Sequence, residues 1–253
     1  MGGWQKAAIK LLAFILNPTI KTPYRIFAKG NGKLPFSAFS ALPVITCPGA
    51  GDCIKFCYSF KCWQYPAALF RQIQNTWLLR YQKDIITSAF SLLPSGVFRL
   101  YVDGDFSSKE DVRFWMGLLS IRPDIQGYGY SKSWVILLAA KLSGVIFPDN
   151  YLLNLSSGGN APHLLPIMKS LPFVRGEFVA VPVAKEHIKS RAYQGPSKSG
   201  FGAYQKDTLA SAKDMGYDRG FVCKGKCGAC LPNGMHACGS SKFRNVPILI
   251  GVH

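Results

Sequence analysis

Acidic side chains are scarce in this chain of 253 residues. Asp and Glu number 13 against 30 Lys and Arg, which gives a formal net charge of +17, and residues 1–51 contain no acidic residue. An excess of this size favours a polyanionic partner, either nucleic acid or an anionic membrane surface. A basic surface that serves only solubility is the alternative interpretation.

Long apolar runs are also missing. The longest, around Trp134–Leu142, is too short to span a bilayer. Lys6 and Lys10 interrupt the first apolar run, which leaves Leu11–Leu16 too short for a secretory signal. We therefore expect a cytoplasmic protein without a transmembrane segment. The segment Trp4–Leu16 predicts an amphipathic helix packed on the domain, with peripheral membrane contact through this helix as the alternative.

The sequence lacks the motifs of the common hydrolases and nucleotide-binding enzymes. It contains no Ser-His-Asp arrangement, no phosphate-binding glycine loop and no dinucleotide fingerprint. Its four histidines form no pair at metal-ligand spacing. His236 lies inside a cysteine cluster and could replace a ligand there, although we expect it at the surface.

Strand-like and helix-like segments alternate through the middle of the chain, and 48% of all residues are hydrophobic. This pattern predicts an α/β fold, either a partial (β/α) barrel or an open parallel sheet with crossover helices, plus a C-terminal cysteine-rich segment. We expect a basic N-terminal helix and extended segment at 1–45 and an α/β core at 46–190. A loop and a four-cysteine metal segment packed on the core follow at 191–253.

Local signals refine three parts of this prediction. Apolar residues at helical spacing predict one helix over 67–85. A capping box from Ser107 to Glu110 predicts the beginning of another helix. Glycine, serine and aromatic residues at 193–204 predict a loop that acts as a lid, a nucleic-acid contact or an idle surface segment.

Polar residues follow three successive predicted strands. Because the carboxyl ends of parallel strands meet at one edge of a sheet, these groups predict a site for a polar or zwitterionic ligand. Turns are polar in any case, which is the simpler explanation for each one alone. The residues are Asp103, Gly104, Asp105, Ser131, Lys132, Ser156 and Ser157.

Eight cysteines form two clusters, and without a secretory signal they are expected to be reduced. Four thiolates with short gaps suit tetrahedral zinc or an iron–sulfur cluster, and the spacing does not choose between these metals. The first set is Cys47, Cys53, Cys57 and Cys62, and the second is Cys223, Cys227, Cys230 and Cys238.

Several short motifs resemble the phage and plasmid "gene product 88" family. They are Cys-Pro-Gly-Ala at 47–50, Cys53, Cys-Tyr at 57–58, Gly-Asp-Phe at 104–106 and Tyr-Ser-Lys-Ser at 130–133. The resemblance spans roughly residues 29–240. It implies no activity.

The layout also resembles, more loosely, the radical S-adenosylmethionine (SAM) enzymes, which hold a [4Fe–4S] cluster on three cysteines and bind SAM at an open iron. The resemblance implies that Cys47, Cys53 and Cys57 hold the cluster, with Phe56 as the adjacent aromatic residue. Asp103-Gly104-Asp105 stands where that superfamily has a Gly-Gly-Glu stretch for the SAM amine. Ser131, Lys132, Ser156 and Ser157 would line the rest, and the second cysteine set resembles an auxiliary cluster site.

Two departures separate the chain from that superfamily. The cysteine gaps are five and three residues, where three and two are usual. Cys62 supplies a possible fourth ligand, and a site closed by four thiolates would not bind SAM. The hypotheses are therefore an iron–sulfur, radical SAM-like enzyme acting on a nucleic acid or another phage or plasmid target, and a non-catalytic nucleic-acid-binding protein with structural zinc or iron–sulfur sites.

The basic composition leads to a test of nucleic-acid binding. If the positive charges contact phosphates, binding of a labelled single-stranded oligonucleotide should weaken steeply as salt is added, by about 0.7 in log K per log salt for each contact. Fluorescence anisotropy across a salt series measures this slope. The absence of binding at low salt by a folded, metal-loaded sample would remove nucleic acid as a partner.

Overall fold

The computed structural model describes residues 2–18, 21–29, 34–187, 198–225, 227, 230 and 236–252, except for the side chains of residues 56 and 198–201. In these ranges the chain folds around one eight-stranded sheet in the order β1-β2-β3-β4-β5-β6-β8-β7. All neighbouring pairs from β2 to β7 along this order are parallel, and only β1 is antiparallel to its neighbour. The predicted α/β class with a mainly parallel sheet is confirmed. The strands are β1 Ala28–Lys29, β2 Ser37–Ala38, β3 Gly96–Leu100, β4 Ile125–Ser131, β5 Tyr151–Ser156, β6 Val174–Pro182, β7 Phe221–Val222 and β8 Ile248–Val252.

Helices connect most of the strands. Among the described residues no helix is long and apolar enough to cross a membrane. The helices are α1 Gly3–Leu16, α2 Ser59–Cys62, α3 Pro66–Tyr81, α4 Lys83–Ser91, α5 Lys109–Ser120, α6 Trp134–Leu142, α7 Leu165–Ser170 and α8 Lys198–Asp214. Short 3-10 turns lie at Asp52–Phe56, Pro162–Leu164, Ala237–Gly239 and Ser241–Phe243.

The two faces of the sheet have different covers. On one face, Leu153 and Leu155 of β5 join a core formed with helices α1 and α3–α7. Helix α8 packs beside that core, against β6 and β8. On the opposite face, Leu152 packs with Tyr128 and Cys238. The alternation of strand side chains thus separates a helical layer from a layer built by the cysteine-rich C-terminal segment.

Helix α1 confirms the prediction over Trp4–Leu16. Ala7, Leu11 and Phe14 are buried, because this side of the helix packs against α3. The side chains of Ile9 and Leu16 are exposed. The outer side of the helix therefore carries apolar residues next to the exposed Lys6 and Lys10.

Three local predictions were wrong. The single helix over 67–85 is two helices, α3 and α4, because Gln82 takes a non-helical backbone conformation (φ −143°, ψ 52°) between them. The capping residue of α5 is Ser108, whose Oγ accepts a hydrogen bond from the Asp111 amide, and not Ser107.

Residues 198–204 of the predicted loop belong to α8, where buried Tyr204 accepts a hydrogen bond from the Gly251 amide. The rest of that loop lies outside the described residues.

The loop that carries Cys47 docks directly on the ends of β4 and β5. A Cβ atom at Gly49 would lie 1.9 Å from the Lys132 carbonyl oxygen, and one at Gly51 would lie 2.9 Å from the Gly158 carbonyl oxygen. Ala50 forms an antiparallel bridge with Gly159. Only glycine fits at these two positions because backbone meets backbone.

Asn160 fastens the same contact. Its backbone amide donates to the Gly49 carbonyl at 3.1 Å, and its side-chain Nδ2 donates to the Pro48 carbonyl at 3.0 Å. The first cysteine set is thereby held against the carboxyl edge of the sheet.

Replacement of Gly49 tests this contact. Gly49→Ala should lower the free energy of unfolding by about 1–3 kcal/mol, because the added methyl group overlaps the Lys132 carbonyl. Gly117→Ala is the matched control, since Gly117 lies in α5 with open space around it and should gain about 0.5–1 kcal/mol. Urea unfolding followed by circular dichroism measures both. Equal stability of Gly49→Ala and wild type would show that the loop does not rest on Lys132.

Candidate active site at the carboxyl ends of the strands

A cavity of about 660 Å³ opens at the carboxyl edge of the sheet. Its size lies in the range of small-molecule sites. Its wall combines the cysteine loop with the residues that follow β3, β4 and β5. Of the residues singled out from the sequence, the wall contains Cys47, Cys53, Cys57, Gly104, Asp105, Ser131, Lys132, Ser156 and Ser157.

Thr46 joins the cysteine loop to the turn after β3. Its Oγ1 donates to the Leu42 carbonyl at 2.9 Å and accepts from the Asp105 amide at 3.4 Å. Gly104 has a left-handed backbone (φ 79°), and a Cβ atom there would lie 2.6 Å from the Thr46 hydroxyl. The Asp-Gly-Asp turn thus needs glycine both for its conformation and for its approach to the loop.

Asp105 is the buried carboxylate of the cavity wall. Its Oδ2 accepts hydrogen bonds from the amides of Lys132 at 2.8 Å and Ser133 at 3.2 Å, and its Oδ1 accepts from the Phe106 amide at 2.8 Å. Burial raises the pKa of Asp105, while these hydrogen bonds act in the opposite direction. Asp105 therefore positions the β4–α6 junction and also presents a carboxyl group to the cavity.

Cys47 lies beside this carboxylate. Burial, and next the negative charge of Asp105, raise the pKa of the Cys47 thiol to about 12. A free thiol with this pKa is protonated at neutral pH, so that a metal has to displace its proton, and metal affinity rises with pH.

Cys62 differs from the other three cysteines of its set. It ends helix α2 and does not line the cavity, whereas Cys47, Cys53 and Cys57 do, and all four are described. Burial, and next the charge of Asp103, raise the pKa of Cys62. The structure thus divides the first set into three thiols that line the cavity and one that does not.

Asp103 is turned away from the cavity wall. It is buried, and its Oδ1 accepts a hydrogen bond from the Ser59 hydroxyl at 2.6 Å. Tyr58 precedes Ser59, and its hydroxyl donates to the Val102 carbonyl. These two bonds hold the end of the cysteine loop against the turn after β3.

The second cysteine set covers the sheet face opposite the main helical core. The Gly225 amide donates to the Cys223 Sγ at 3.4 Å, and the Ala237 amide donates to the Cys230 Sγ at 3.3 Å. The Tyr128 hydroxyl lies 3.9 Å from the Cys227 Sγ. Such donors stabilise negative charge on sulfur and suit metal-bound thiolates.

Cys238 is the most buried member of this second set. Burial, and next the neighbouring Cys223, raise its pKa to about 12. The Asn154 side chain donates to the Cys238 carbonyl at 2.9 Å, and buried Arg175 donates to the Asn154 Oδ1 at 2.6 Å. These hydrogen bonds attach the C-terminal segment to β5 and β6.

His236 is buried with 5% exposure, so the expected surface position was wrong. Its ring packs against the rings of Phe36 and Tyr128, which also contact each other, and burial lowers the pKa of His236 to about 4. Its Nε2 has no hydrogen-bond partner among the described residues.

Neither cysteine set forms a ready metal site in the described part of the chain, where no three Cys, His, Asp or Glu side chains meet the geometry for one ion. None of the eight cysteines is in a disulfide. The donor chemistry of both sets still fits a thiolate-bound metal. The side chain of Phe56 lies outside the described residues.

Sequence reasoning missed the aromatic and cationic part of the cavity wall. It includes Tyr58, Arg99, Tyr130 and Phe178. Arg99 carried a usable signal, because it is a charged residue inside the apolar strand β3. Tyr58 and Tyr130 lie inside two of the motifs quoted for the family resemblance, which marked them without giving them a role. Phe178 carried no signal, since strands often contain aromatic residues.

A model for one protein family, described as Gene product 88, matches residues 11–246, which is nearly the whole chain. The resemblance seen in the motifs is thereby confirmed. Comparisons with curated proteins and with solved structures gave no match.

The different locations of the two sets predict that they are separate centres. Replacing both Cys227 and Cys230 with Ala should remove only the metal of the second set, roughly half of the total if each set holds one [4Fe–4S] cluster. Iron, zinc and sulfide analysis after anaerobic purification measures the loss. Complete loss of metal from a folded variant would contradict the two-centre arrangement.

Proposed function

We propose an enzymatic function for this chain, which belongs to the gene product 88 family: it is an iron–sulfur enzyme that binds and cleaves SAM. The observation that carries the proposal is the composition of one cavity wall. Cys47, Cys53 and Cys57 share it with Asp105 and Lys132, while Cys62 stays outside. Three thiolates without a fourth are what an open cluster iron requires.

The chain's own residues would bind and orient the cofactor. Asp105 offers a carboxylate to the SAM ammonium group next to Cys47, and Lys132 offers a cation to the SAM carboxylate. The hydroxyl of Ser156 is available to the ribose, while Ser131, whose hydroxyl accepts from the Ser133 amide and interacts with Asp105, supports that carboxylate. Cys47, Cys53 and Cys57 would hold the cluster, which, when reduced, would supply the single electron for cleavage of SAM to methionine and a 5′-deoxyadenosyl radical able to take a hydrogen atom from the substrate.

The substrate is proposed to be a nucleic acid because of the net charge of +17. Lys61 and Lys132 bring positive charge to the cavity itself. The second cysteine set is proposed as an auxiliary cluster site.

A non-catalytic function is the second candidate, supported by the packing of the second set. The Cys238 segment covers Tyr128, Leu152 and Ile248, so that a metal there, zinc or iron–sulfur, would serve as a structural brace. In that case the basic surface alone would bind nucleic acid. A colourless protein with zinc and without iron favours this candidate.

Exchange of the buried carboxylate tests the enzymatic proposal. Asp105→Asn should keep its iron but bind SAM roughly ten- to a hundredfold more weakly, because a charge-assisted hydrogen bond contributes about 1.5–3 kcal/mol. Asp149→Asn is the control, since Asp149 is exposed and precedes the amino end of β5, whereas the cavity lies at the carboxyl end of that strand. Calorimetric titration with SAM measures the affinity, and the thermal midpoint shows whether the amide contacts of Asp105 survive.

Cys62→Ala should retain both the iron of the first site and SAM binding, whereas Cys57→Ala should lose both. Loss of iron from the first site in Cys62→Ala would mean a closed site and a structural or electron-transfer role. The enzymatic proposal fails if the reduced wild-type protein neither binds SAM nor releases 5′-deoxyadenosine.

A further inference from the structure

Arg99 is a partly buried cation, and no carboxylate pairs with it among the described residues. It lies on β3, and its side chain lines the cavity. Its Nε is buried without a hydrogen-bond partner, and none of the ion pairs among the described residues includes it. Because an unpaired charge held away from water is costly, a protein normally supplies a counter-ion. Here the open side of the guanidinium is the cavity.

The neighbours of Arg99 are aromatic. Its Cζ lies 4.6 Å from the centre of the Tyr130 ring, a cation–π contact. Tyr58 and Tyr128 are close enough to influence it electrostatically, as is Cys227 of the second cysteine set. Phenols are neutral at pH 7, since their ordinary pKa is about 10. The tyrosines therefore orient the guanidinium and leave its charge unbalanced.

The same cavity wall presents flat aromatic surfaces. Tyr58, Tyr130 and Phe178 all line it, and the Tyr130 and Phe178 rings pack edge to face at 4.6 Å. Aromatic faces stack on nucleobases whatever their sequence, and a guanidinium fork matches the oxygens of a phosphate. Together these groups match the two ends of a nucleotide.

We propose that the cavity takes one nucleotide unit of a nucleic acid, with its phosphate on Arg99 and its base against Tyr130 and Phe178. A nucleotide in this cavity would be the substrate of the enzyme proposed above, and that role rests on the proposed function. The recognition of the phosphate requires neither SAM nor its cleavage.

The test compares nucleoside 5′-monophosphates with the corresponding nucleosides. Calorimetric titrations use the full chain, purified anaerobically with its metal. Wild type should prefer the monophosphate, and Arg99→Gln should lose roughly ten- to a hundredfold in affinity for the monophosphate and little for the nucleoside. Arg99→Lys should lose less, since it keeps the charge but not the fork. Arg113→Gln, which removes an exposed arginine from α5, is the control and should change neither affinity.

Three results would overturn the proposal. Wild type without any preference for the monophosphate would do so even if the protein cleaves SAM. A loss of SAM affinity in Arg99→Gln with unchanged nucleotide affinity would assign the arginine to the cofactor. Altered metal content or visible absorption with unchanged nucleotide affinity would make Arg99 the counter-ion of Cys227. A preference for the monophosphate that depends on Arg99 would support nucleotide binding even if the protein releases no 5′-deoxyadenosine. In that case only the enzymatic proposal would fail.

Discussion

The contact between the cysteine loop and the end of β4 governs the geometry of the site. Lys132 is held on both sides of its backbone: its carbonyl oxygen faces Gly49, and its amide donates to Asp105. The loop, the carboxylate and the strand end therefore form one rigid unit. A side chain at Gly49 would not fit in this contact, so the path of the cysteine loop beside the cavity depends on it.

Long elements with a clear periodicity were predictable from the sequence, and short ones were not. Strands β4 and β5 and helix α6 combine buried apolar residues with polar ends, which is the strongest local signal. Strands β1, β2 and β7 have two residues each and carry no pattern of their own. Strand β8 was missed because a five-residue apolar run does not distinguish a strand from other buried segments.

The part of the site at the carboxyl ends of the parallel strands was predictable from the sequence. The part that depends on the path of a loop was not. The polar groups after β4 and β5 converge because parallel strands end at one edge. The spacing of the cysteines could not show that Cys62 does not line the cavity, because this depends on the short helical turns within residues 52–62. The strand pattern also could not show that Arg99 lies on the face covered by the C-terminal segment. Alternation assigns side chains to the two faces of a strand, but it does not tell which segment packs on each face.

The walls of the cavity come from distant parts of the chain. They lie within residues 43–61, 99–105, 130–132, 156–157, 178–180 and 250–252. Strand β8 inserts between β6 and β7, so the sheet cannot grow in the order of synthesis. The first cysteines therefore leave the ribosome long before the last wall that encloses them. Any ligand that needs the whole cavity is bound after translation of residue 252. Maturation of the site is thus a late step, set by the topology of the sheet and not by the position of its cysteines in the sequence.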